Sequence, residues 1–145
     1  MLRILSILFL LLAPCSLPLL LAQQGLAIQT AFEELAVKEN ATEVVIGAGR
    51  LKKYHLSLFH SLEIKNPSAS EQRRIEAMIR TDAAQAVQHE ETDGHKLYEL
   101  PVRRGMHYYI FYRCSGQSLI LIYIEGKASL KQIEEQFLRK VKNEE

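Results

Sequence analysis

Apolar and polar positions alternate with period two along some stretches of the chain and recur every three to four residues along others. The most apolar stretch beyond the N-terminal run is Gly105 to Gly126, GMHYYIFYRCSGQSLILIYIEG. It predicts two strands, Met106 to Cys114 and Ser118 to Glu125, joined through Ser115-Gly116-Gln117. β-Branched and aromatic side chains suit a pleated, packed surface, and a three-residue loop with glycine is a common hairpin connection. Tyr108, Ile110 and Tyr112 share one face of the first strand, and His107, Tyr109, Phe111 and Arg113 the other. Both faces of the second strand are apolar, which predicts a central strand covered on both sides.

Helical spacing governs three other stretches. Ile28, Ala31, Phe32, Leu35 and Ala36 form one stripe and predict a first helix over 26–39. Ser68-Ala69-Ser70-Glu71 has the capping-box pattern and opens a helix over 69–89 with Ile75, Met78, Ile79, Ala83, Ala86 and Val87 inward. Ser129-Leu130-Lys131-Gln132 opens a last helix carrying Leu130, Ile133, Phe137, Leu138 and Val141. Glu43 to Ala48 and Lys96 to Val102 read as short strands. Pro101 cannot donate to a ladder, so the second of these is an edge strand or a strand end. Tyr54 to Lys65 alternates, with Phe59 out of phase. A strand with a bulge near Phe59-His60 accounts for it, the alternative being a short helix over 51–59 and a strand over 61–65. Glu90 to Gly94 reads as a polar turn. The order is α-β-β-α-β-β-β-α: an α+β domain, with an antiparallel sheet of about four to five strands packed with three helices.

The N-terminus changes the picture of the whole chain. Arg3, the apolar run from Ile4 and a small residue at Ala22 predict a signal peptide over 1–22, followed by a single domain over 23–145. A retained anchor and lipidation at Cys15 are the rival readings; Pro14 and Pro18 interrupt the first, and Pro14 fits a lipobox poorly. Removing 1–22 takes away Arg3 alone among charges, leaving 17 basic against 17 acidic side chains. That balance argues against a general grip on nucleic acid, which needs a basic face. It leaves Cys114 without an intramolecular partner, so core packing rather than a disulfide holds the fold.

Candidate chemistry is sparse. Gly47-Ala48-Gly49 lacks the spacing of a dinucleotide fingerprint, and no Gly-x-Ser-x-Gly elbow occurs. Asn40-Ala41-Thr42 is a formal glycosylation sequon, but Asn at a helix end is the favoured reading. The histidines (His55, His60, His89, His95, His107) show no metal-ligand spacing, and no metal or other cofactor is expected. Asp82 lies on or beside the stripe of its helix. It reads as a boundary residue facing solvent or an Arg, or as a buried acid with a raised pKa in a pocket. Tyr98, Tyr109 and Tyr112, with Arg103, Arg104 and Arg113, are the candidate binding residues: tyrosines are enriched at interfaces and the arginines suit an anion, the alternative being rings that cover the core and arginines paired with local acids such as Glu99 or Glu125. No catalytic residue is assigned.

The segments LKKYHLSLFHSLEIK (Leu51–Lys65), KLYELPV, YYIFYR and LILIYIEGKASLKQI (Leu119–Ile133), behind a leader ending in Ala-Gln, resemble an exported family of unknown function from Bacteroidota. The resemblance spans almost all of 23–145. It implies an α+β envelope protein of a gut-type anaerobe, and transfers no catalytic residues. The expected function is a non-catalytic periplasmic or envelope-associated domain that binds a protein or small ligand. A small hydrolase or metal-dependent enzyme using His107, His55 or Asp82 is the alternative. A regulator of envelope signalling is a third.

Overall fold

The computed structural model describes residues 25–92 and 94–138, and no side chain beyond Gln136. The predicted signal peptide, Cys15 and Val141 lie outside the described residues. In chain order the elements are α1 (Ile28–Leu35), β1 (Ala41–Gly47), α2 (Ala48–Leu51), a 3-10 turn (Lys52–Tyr54), β2 (Leu56–Lys65), α3 (Ala69–Ala83), β3 (Gln88–Thr92), β4 (His95–Arg103), β5 (Met106–Cys114), β6 (Ser118–Gly126) and α4 (Leu130–Ile133). The last runs on as a π-helical turn, Glu134–Leu138.

The six strands form one open antiparallel sheet in the order β1-β2-β6-β5-β4-β3. The expectation of four to five strands and three helices is therefore corrected to six and four. The added strand is β3, whose sequence QHEET is exposed at every position and carries no apolar alternation. It exists because its backbone pairs with His95–Glu99 of β4. The added helix is the single turn α2, which buries Leu51.

β6 sits between β2 and β5 and is covered on both sides, as its two apolar faces require. On one side lie α1 and α3, against Leu58, Leu62, Ile64, Ile110, Leu119, Leu121 and Tyr123. On the other, Leu51, Ala128 and Ile133 pack on Leu56, Tyr109, Phe111, Ile122 and Ile124. Each such apolar side chain contributes roughly 1.5–3 kcal/mol relative to exposure. Phe59 is out of phase because it belongs to this second layer. The irregularity in β2 falls at Ser57, two residues before the expected site: Leu56 pairs with Gly126 and Leu58 with Glu125, so Ser57 is the extra residue. The bulge sends Leu56 and Leu58 to opposite layers.

Both capping boxes form. Glu71 N–H donates to Ser68 Oγ (3.1 Å) and Ser68 N–H to Glu71 Oε2 (3.0 Å); Ser129 and Gln132 repeat the exchange. α3 carries the chain from β2 to the far edge. Fifteen residues rise about 22 Å, close to the roughly 19 Å that four strand spacings require. It ends at Ala83, not near 89. Val87 N–H donates to Glu99 O (2.8 Å), drawing the chain into the sheet and leaving the Val87 side chain 64% exposed. α1 is likewise shorter than the predicted 26–39. Asn40 closes that end structurally, its amide donating to Lys65 O at 2.8 Å. Pro101 stands at a strand end: β3 pairs only with residues 95–99, and the β4–β5 register breaks between Leu100 and Arg103.

Candidate functional site

The start of α1, the end of α3 and the ends of three strands enclose a cleft of about 180 Å³. Gly25 and Leu26 line it just ahead of α1, and Thr81, Asp82 and Gln85 come from α3 and the turn after it. The strands supply Leu100, Pro101, Arg103, Tyr108 and Tyr123. The strand register puts these on one face, because Tyr108 stands opposite Glu125 and Tyr123 opposite both Ile110 and His60.

Asp82 is the buried acid of the two sequence readings, not a boundary residue. Its Oδ1 accepts from Ala27 N–H (2.7 Å) and its Oδ2 from Ile28 N–H (2.9 Å), which caps the first turn of α1 from a distant helix. Burial pushes its pKa up, and the two amides pull it partly back. The α1 N-terminus has no capping side chain of its own. Asp82 therefore supplies the negative charge that a helix start favours.

Bonded to the cleft-lining Tyr123 is a second buried acid. Glu125 accepts a hydrogen bond from Tyr123 Oη at 2.9 Å. Burial raises its pKa and the Tyr123 hydrogen bond opposes that rise. Burial and Glu125 together push the Tyr123 phenol well above its ordinary range. The available signal was phase: Glu125 continues the series Leu119, Leu121, Tyr123, all fully buried. Along the same row His60 bonds Glu43 Oε1 (2.6 Å) and stacks on Phe32 of α1, ring centroids 3.7 Å apart.

The six candidate binding residues do not share one surface. Tyr109 is buried against α4's layer and its hydroxyl donates to Ala128 O (2.7 Å). Tyr112 is buried on the α1–α3 face and donates to Glu76 (3.0 Å). Tyr98 is partly buried on that face and stacks on His89 (4.6 Å). Arg113 stands opposite His95 and Ile120 in the ladders, and Arg104 is at the tip of the β4–β5 turn with φ 52°. Arg103 alone of the six lines the cleft.

His107, His55 and Asp82 do not converge. His107 bonds Glu99 (2.9 Å) and stacks on Tyr109, on the face away from Asp82. His55 takes a left-handed conformation (φ 57°), and its carbonyl accepts from Lys127 and Ala128 N–H. Among the described residues no group of three or more His, Cys, Asp or Glu is placed to hold a metal ion. Cys114 is a half-buried free thiol whose Sγ contacts Ser115 O at 3.6 Å. No described helix is long and apolar enough to cross a membrane.

Fold and cleft together define an α+β domain with an open six-stranded antiparallel sheet, covered on both faces. The chain belongs to a family of unknown function (DUF6108), whose model matches residues 15–137. Among curated proteins none matches it significantly.

Proposed function

We propose that the chain is an exported, non-catalytic domain of the cell envelope that binds a small polar ligand in the cleft beneath α1. The observation that carries this reading is the cleft itself. It is a concave site with apolar and aromatic walls (Leu26, Leu100, Pro101, Tyr108, Tyr123) and a few convergent polar groups, the composition of ligand sites. Export rests on the leader pattern of residues 1–22, and an envelope setting on the resemblance of Leu51–Lys65 and Leu119–Ile133 to exported Bacteroidota proteins. The separation of His107 from Asp82 favours binding over hydrolysis, since general acid–base work needs its partners within hydrogen-bond reach.

The test is amide chemical-shift mapping of the chain against pools of small polar metabolites. Binding is expected to move Ala27, Ile28, Thr81, Arg103 and Tyr108 together. Shifts confined to other surfaces, or none with any pool, overturn the reading.

A further inference from the structure

Asp82 and Arg103 line the same cleft with opposite charges, and no ion pair joins them among the described residues. They also differ in depth. Asp82 is 7% exposed, whereas Arg103 belongs to the exposed end of β4. We propose that the cleft takes a small zwitterion of the free α-amino-acid type, its ammonium at Asp82 and its carboxylate at Arg103. This inference rests on the binding reading above and names the ligand class.

Each Asp82 oxygen accepts one backbone N–H and keeps capacity for another donor. An ammonium brings three donors. The partly exposed Tyr108 lines the same space, and an aromatic face attracts a cation. At the rim, the Arg103 guanidinium offers the planar fork that matches a carboxylate. The competing ligand classes each leave one charge opposed or unused. An inorganic anion entering the cleft meets the Asp82 carboxylate. A simple amine leaves Arg103 repelling it at the mouth. A neutral sugar uses neither charge as a charge. The volume, about 180 Å³, suits a single amino acid better than a peptide.

The experiment is titration of the full chain, read by calorimetry and amide shifts. The twenty free amino acids are run as pools and then singly. The best binder is compared with its decarboxylated amine, its deaminated acid, glucose and inorganic phosphate. The amino acid is expected to bind, and loss of either charged group to weaken it about tenfold or more, the scale of a hydrogen bond to a charged group. Arg103→Gln should reduce amino-acid binding to that of the amine without moving the melting midpoint. Asp82→Asn also removes the α1 cap, so Arg103→Gln carries the test. Equal binding of amine and amino acid, or selective binding of glucose or phosphate at the cleft amides, overturns the zwitterion while leaving the binding reading standing. No cleft shift with any probe overturns both.

Discussion

The two faces of this sheet are built from the same strands and buried in different ways. On the α2–α4 face the buried core is apolar, with the His107–Glu99 pair and His95 beside it. The fully buried Tyr109 donates its Oη–H to the Ala128 carbonyl. On the α1–α3 face two carboxylates, Asp82 and Glu125, sit among Leu58, Ile110 and Tyr123, and a cleft opens beside them. Buried charge costs free energy unless it is well bonded. Here Asp82 has two amides and Glu125 has one phenol. The second face thus buries carboxylates that the first does not, and perturbed buried acids cluster at functional sites.

The largest expected effect breaks the comparison by destroying the strand both faces share. Leu121→Asp puts an unpaired charge at a fully buried position of β6. It should cost more than about 4 kcal/mol and abolish cooperative melting. A midpoint close to that of the parent chain would remove β6 from the centre of the sheet. A smaller effect probes the α2–α4 side. A Cβ at Gly126 would lie 2.5 Å from His55 O and 2.7 Å from Leu56 Cα, both backbone atoms. Gly126→Ala should therefore cost about 1–3 kcal/mol in denaturant unfolding. Tolerance without loss would mean that the β2–β6 approach is looser than described.

The smallest effect has the opposite sign and sharpens the contrast. Glu125 has a raised pKa in the folded state, so the fold favours its neutral form. That contribution is fully present below the ordinary carboxylate value of 4.5 and is lost as pH rises through the folded-state pKa. Glu125→Gln mimics the neutral form and keeps an acceptor for Tyr123. It should raise the melting midpoint by a few degrees at pH 7, and the gain should vanish below about pH 4.5. A midpoint lowered at pH 7 would show that the charged carboxylate is bonded well enough to outweigh its burial.

Much of the architecture is legible in the sequence. The β5–β6 hairpin was read to within one residue, and Ser68-Glu71 and Ser129-Gln132 marked two helix starts, because these signals are local. The site was less legible. Tyr109 and Tyr112 read either as binding residues or as rings that cover the core, and in the structure their rings fill the two cores. Alternation assigns each ring to a face and says nothing about what covers that face. Asp82 carried both a bland and a functional reading, and only the approach of α1 chose between them.

The sequence by itself determined the strands of the central hairpin, the capped helix starts and the α+β class. These follow from side-chain periodicity and from hydrogen bonds spanning three or four residues. Tertiary structure alone decided that β3 is a strand, that α3 stops at Ala83, and that Asp82 caps a helix 54 residues away in the chain. The physical reason is common to all three. Each depends on a backbone donor or acceptor being met by a distant segment, and a backbone group looks the same in every residue except proline.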